Sequence, residues 1–301
     1  MRCDAVFEGG GVKGIAFVGA IRETEERGYR FERLAGTSAG SLVASLLAAG
    51  YTGEELEHLL GQMPFSSFLK KKGFGRIPLL GDAYNLLVHA GMFSTQELYR
   101  WVDERLRQKG VRYFGDLKGD RLKIIASDIT RGRMMVLPDD LEDYGLSPNK
   151  FPIALAVTMS CAIPFFFQPA VLMGEKNERI YVVDGGLLSN FPVWIFDRKN
   201  PRWPTFGYRL EEAEGGVPYK IRSLFSLCKA LVHTALEAHD RMRLREQDAV
   251  RTISIPIKGI KATDFNLSEE QKKELVQLGK EEAKRFFDRW SFQTYLARYG
   301  S

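Results

Sequence analysis

The chain has 301 residues, of which 45% are hydrophobic and 27% charged, the balance of a well-cored soluble protein rather than a disordered or fibrous one. A net charge of +5, without an RNA-binding aromatic motif, finger spacing or long Lys/Arg block, sets nucleic-acid binders aside. Three widely spaced cysteines (Cys3, Cys161, Cys228) argue for a reducing compartment, four scattered histidines (His58, His89, His233, His239) lack metal-ligand spacing, and no run of about 18 apolar residues occurs, so a cytoplasmic protein without metal or cofactor is expected.

In chain order, "RCDAVFE" predicts a short buried strand and "VKGIAFVGAIRETEERG" a helix closed by Gly28. "FERLAG" reads as a second strand and "SAGSLVASLLAAG" as an almost wholly apolar helix stopped by Gly50. Thr52 with Glu55 three residues on has the capping-box pattern of a further helix. Alternating strands and helices over fifty residues imply parallel strands joined by crossovers. Residues 64–93 have no clean period. Ser94 is then the expected N-cap of a helix through Arg107, "LKIIASDI" and "RMMVLP" read as strands, and "FPIALAVTMSCAIP" as a buried helix terminated by Pro164. "RIYVVDGG" predicts a buried strand running into a turn. "TISIPI" is a last strand, with amphipathic helices at roughly 223–247 and 268–290. No repeat or linker divides the chain, so 1–301 is read as one domain.

Two glycine-rich turns carry the chemistry. Gly9, Gly11 and Gly14 fit the dinucleotide pattern G-x-G-x-x-G between a strand and a helix, but the acidic residue expected at the end of the second strand is missing, where Gly36 and Thr37 stand instead. "GTSAG" (36–40) is Gly-x-Ser-x-Gly between strand and helix, the nucleophile-elbow pattern, with Ser38 projecting from a strained turn and Gly36 and Gly40 removing Cβ clashes. A serine attacking a carbonyl makes an oxyanion, which needs preset N–H donors. Ala39 can supply one, and the "GGGVKG" loop on the neighbouring strand others, so the bare backbone serves an oxyanion as readily as a phosphate. None of the histidines follows a strand in a glycine-framed turn. Asp184 does, at the end of "YVVDGG" with Gly185 and Gly186 behind it, and is the candidate base; a local turn-forming aspartate is the alternative.

"GGGVKG", "GTSAG", "SCAIPFFF" and "DGGLLSNFP", in this order over about residues 4–195, resemble the patatin-like phospholipases, which are related to cytosolic phospholipase A2. The resemblance implies a three-layer α/β/α sandwich with a mostly parallel central sheet and a Ser–Asp dyad. It makes Ser38 the nucleophile and Asp184 the base, and places Gly10, Gly11 and Val12 in the oxyanion loop. Lys13 stands where the family more often has Arg, and Met159 where an Ala usually precedes the serine; neither change removes a reacting group.

The implied activity is calcium-independent hydrolysis of phospholipid or lysophospholipid acyl esters. Within 64–93, Lys70, Lys71, Lys72 and Arg76 beside Phe65, Phe68, Leu69, Phe74, Ile77, Leu79 and Leu80 suit peripheral contact with an anionic membrane, or equally an inward-packed loop with solvated lysines. "FFQPAVLMG" fits an acyl pocket or plain core. The helix at 268–290 reads as a solvated cover. A nucleotide-binding module on Gly9/Gly11/Gly14, a non-lipid carboxylesterase on the same site and a catalytically silent membrane-associated protein are the competing readings.

Overall fold

The computed structural model describes residues 1–64, 67–68, 90–174, 177–212 and 246–299, with isolated positions 221, 227, 230–231 and 234. The segment 64–93, read as membrane contact or an inward-packed loop, lies outside the described residues apart from 64, 67–68 and 90–93, and so do nearly all of the 223–247 helix, His89, Cys228, His233 and His239.

Strands β1 (Arg2–Phe7) and β2 (Arg30–Thr37) pair in parallel, and β1 pairs in parallel on its other edge with β9 (Thr205–Glu212). β9 in turn pairs with β10 (Thr252–Ile257), and β2 with β4 (Leu122–Asp128), all parallel. Beyond β4 the pairing reverses: β5 (Arg133–Leu137) and β8 (Arg179–Asp184) run antiparallel to it, and β7 (Ala170–Met173) antiparallel to β8. The sheet is thus mostly parallel at its centre, as expected. β3 (Gly91–Phe93) and β6 (Phe165–Phe167) form a small separate pair.

The registers on β4 decide where the chemistry sits. β5 occupies one edge, pairing with residues 124–128. The other edge is shared: β2 pairs with 122–125 and ends with Thr37 opposite Ile125, while β8 pairs with 126–128 and ends with Asp184 opposite Ala126. Two strands running toward each other therefore meet end to end, one β4 residue apart. An all-parallel reading of the sheet could not place the two ends together.

Period-two alternation sorts β1: Cys3, Ala5 and Phe7 enter the main core, while Val6 joins Ala35 and Phe196 on the opposite face. Against the main-core face lie α1 (Ala16–Glu26), α2 (Ala39–Ala48), α3 (Gly53–Gly61), α4 (Gln96–Gln108), α5 (Ile153–Ser160) and α7 (Glu269–Phe287); α6 (Glu246–Ala249) leads into β10, and α8 (Phe292–Tyr299) follows α7. Among the described residues the opposite face is covered by the turn Val193–Phe196.

Several local expectations are met at the residue. Thr52 and Glu55 form the capping box, and Gly28 and Gly50 close their helices at φ +82° and +97°. Others shift. The first helix opens with a 3-10 turn, Gly11–Ile15, because the glycine loop is still turning. Helix α4 starts after Thr95; Ser94 instead accepts the Gln96 N–H at 3.2 Å, a turn one residue ahead of the cap position. Helix α5 ends at Ser160, short of Pro164, where the Ala162 carbonyl is taken by the Asp184 N–H at 2.9 Å rather than continuing the helical ladder.

Helix α7 is more than a solvated cover, since Leu275, Gly279, Ala283 and Phe287 bury one face against α1. The backbones touch: a Cβ on Gly279 would overlap the Ala16 carbonyl, and one on Gly19 the Val276 carbonyl. Gly→Ala inside a helix ordinarily stabilises by about 0.5–1 kcal/mol. Here the sign reverses: Gly279→Ala is expected to cost about 1–3 kcal/mol in denaturant unfolding, because the helices must separate.

Candidate active site

Ser38 sits between β2 and α2 at φ 51° and ψ −124°, a left-handed conformation uncommon for a residue with a side chain. The turn is tight enough that a Cβ on Gly40 would overlap the Phe7 and Glu8 carbonyls of β1. Ser160, at the end of α5, pins the strain in place. Its Oγ accepts the Ser38 N–H at 2.8 Å and donates to the Ile125 carbonyl at 2.6 Å, while Ser41 Oγ donates to the Ser38 carbonyl at 2.6 Å. Ser160→Ala removes the side chain that pairs the buried Ser38 N–H and the Ile125 carbonyl, and is expected to lower unfolding stability by about 1–3 kcal/mol for each group left unsatisfied. The same variant should lower kcat, since nothing else described holds the Ser38 amide.

The end-to-end meeting of β2 and β8 brings the two expected reacting groups into contact. Ser38 Oγ donates to Asp184 Oδ2 at 2.7 Å. The second carboxylate oxygen accepts the Gly186 N–H at 2.8 Å, which fixes the plane of the group. Both residues are buried, Ser38 6% and Asp184 2% exposed, so the pair is shielded from bulk water. Gly185 lets the chain turn against β4: a Cβ there would overlap the Ile125 carbonyl. His58, the histidine among the described residues, stands exposed in the last turn of α3.

The glycine loop lies beside this pair. Gly9 donates to the Asn190 carbonyl at 3.2 Å and accepts from Asn190 Nδ2 at 3.3 Å, tying the loop to the segment after Asp184. The N–H groups of Gly10, Gly11 and Ala39 donate to nothing among the described residues. Val12 differs from expectation: its N–H donates to the Ala262 carbonyl at 3.0 Å, so that amide is already engaged. Helix α2 begins at Ala39, so its positive dipole end points at the Ser38 turn. The glycines also have a reason other than the expected one. Side chains at Gly9 and Gly11 would overlap Asn190 and the Ala262 carbonyl, so the bare backbone is filled by protein, and Gly11 adopts φ +55° to allow it.

A patatin-like phospholipase family model matches residues 5–197. The chain belongs to the patatin-like phospholipase family. It is 42% identical over 294 residues to the uncharacterized protein YqhO of Bacillus subtilis (strain 168), covering 97% of this chain and 100% of that one. A more distant relative, the cUMP-AMP-activated phospholipase of Escherichia coli, is 24% identical over 201 residues, covering 62% of this chain and 55% of the relative. Among solved structures, VipD from Legionella pneumophila superposes with a TM-score of 0.58 at 17% identity, covering 95% of this chain and 66% of VipD. The type III effector ExoU does so at 0.55 and 16%, covering 96% of this chain and 53% of ExoU. Both share the fold.

In this patatin-like domain three residues near the Ser38–Asp184 pair carry no role in the motif reading. Asn190 clamps Gly9, and its place in "DGGLLSNFP" was the available signal. Ser160 was visible as a pattern position without a task. Cys161 adjoins the Ser38–Asp184 pair, and burial, reinforced by the Asp184 charge, pushes its thiol pKa above the ordinary value, which disfavours the thiolate. Among the described residues no cluster of three His, Cys, Asp or Glu side chains could hold a metal, and no helix is long and apolar enough to cross a membrane.

Proposed function

We propose that this chain hydrolyses fatty-acyl esters of phospholipids or lysophospholipids through Ser38 and Asp184. The 2.7 Å Oγ–Oδ2 contact at the head of α2 carries the reading, and the family membership supplies the substrate class.

Ser38 Oγ attacks the ester carbonyl carbon while its proton passes to Asp184 Oδ2. The carbonyl oxygen becomes negative and is held by amide donors drawn from Gly10, Gly11 and Ala39, which need no reorganisation at that moment. A carboxylate can serve as the base because these donors carry most of the developing charge. Collapse expels the alcohol or lysolipid, which takes the proton from Asp184, and leaves the acyl group on Ser38. A water then loses its proton to Asp184, attacks the acyl carbon, and releases the fatty acid as the proton returns to Ser38 Oγ.

The test is product analysis from defined diacyl- and lysophospholipids incubated with the purified wild-type chain. Release of fatty acid with the complementary lysolipid or glycerophosphodiester is expected. Turnover of water-soluble short esters alone, with every phospholipid left intact, would replace this reading by a non-lipid carboxylesterase.

A further inference from the structure

The family match ends at residue 197, yet the loop following β10 reaches back to both sides of the site. On one side the Ala262 carbonyl accepts the Val12 N–H at 3.0 Å and lies where a Gly11 side chain would be. Three residues on, the ring of Phe265 stacks on Phe166 (5.4 Å between centroids, 11° between planes) and meets Phe167 edge-on at 6.5 Å. Phe166 in turn contacts Phe93 at 5.0 Å. This aromatic cluster includes Ala162, whose carbonyl accepts the Asp184 N–H. Residues 262–265 thus span from the glycine loop to the wall that holds Asp184. The loop is braced internally by Asp264, whose carboxylate accepts the Lys261 N–H at 2.7 Å.

We propose that the 261–265 loop is a positioning element of the reaction: Phe265 anchors it on the aromatic cluster so that the Ala262 carbonyl holds the glycine loop in its donor-presenting conformation. A run of glycines has more backbone freedom than any other sequence, and an oxyanion site works only when its donors are already in place. The Gly11 backbone at φ +55° supplies no restraint of its own, and the Val12–Ala262 bond supplies one. The effect of loosening the loop falls on the charged transition state rather than on the neutral bound ester.

The proposal rests on the Ser38–Asp184 reading, and its test separates the two. The full chain is assayed on p-nitrophenyl butyrate, an acyl group too short to depend on an acyl-chain pocket. Phe265→Ala is expected to lower kcat by about 10- to 100-fold with KM within about twofold, the scale set by small misplacements in an active site. Phe265→Tyr, which keeps the ring, should stay close to wild type, and labelling of Ser38 by a fluorophosphonate should slow in parallel with kcat. If Phe265→Ala melts below the assay temperature, Asp264→Ala takes its place and is expected to move kcat in the same direction. Wild-type kcat in the folded variants, or a loss confined to KM, overturns the proposal while leaving the dyad standing. A wild-type chain that neither hydrolyses the ester nor labels at Ser38 overturns both.

Discussion

Ser38→Ala is expected to abolish acyl-ester hydrolysis, with a loss in kcat of about 10⁴-fold or more, as follows when the group that forms the covalent bond is removed. Its Oγ lies in a buried site and bonds to Asp184, while the turn that carries it is held by other atoms: its N–H by Ser160, its carbonyl by Ser41. Removing the hydroxyl therefore leaves the elbow's own hydrogen bonds in place, and the variant should unfold cooperatively. Fluorophosphonate labelling gives the second measurement. The wild-type chain should gain one covalent adduct on Ser38 and the variant none. Residual hydrolysis at the wild-type rate would mean that another group is the nucleophile. Burial and the neighbouring Asp184 charge both push the Cys161 thiol pKa up, which weakens it as that alternative.

The reason so much of the site was legible before the fold is that its parts are local backbone demands. A serine in a left-handed turn between a strand and a helix needs small neighbours, and "GTSAG" states that within five residues. The capping box at Thr52 and Glu55 is likewise written within four. Contacts between remote segments were not legible in this way. Nothing in "RIYVVDGG" says that β8 runs antiparallel to β4, because strand direction is set by the path of the connecting chain. The Val12–Ala262 bond joins residues 250 positions apart, and it redirected one of the amides expected to face the substrate. β9 is an intermediate case. Phe206, Tyr208 and Leu210 alternate into the main core, but in "TFGYRLEE" that alternation is diluted by Gly207 and the closing charges, so the sequence alone carries only a weak strand signal there.

Asp184→Asn separates the proposed base from the shape of the site. The carboxamide has the size of the carboxylate, and its oxygen can keep the hydrogen bond from the Gly186 N–H that Asp184 Oδ1 now accepts at 2.8 Å. In that orientation its NH₂ occupies the place of Oδ2 and points a donor at Ser38 Oγ, where the reaction needs an acceptor. The proton of Ser38 then has nowhere to go. Ester hydrolysis is expected to fall by about 10⁴-fold or more, while the melting temperature stays within about 3 °C of wild type. Labelling by the fluorophosphonate should be slowed in the same proportion but still directed to Ser38, which distinguishes a missing base from a missing nucleophile. Near-normal turnover would mean that the contact between these two oxygens serves the turn geometry alone, and that a residue elsewhere takes the proton. A large fall in melting temperature would instead assign the Asp184 carboxylate to holding the junction of β2 and β8 on the edge of β4.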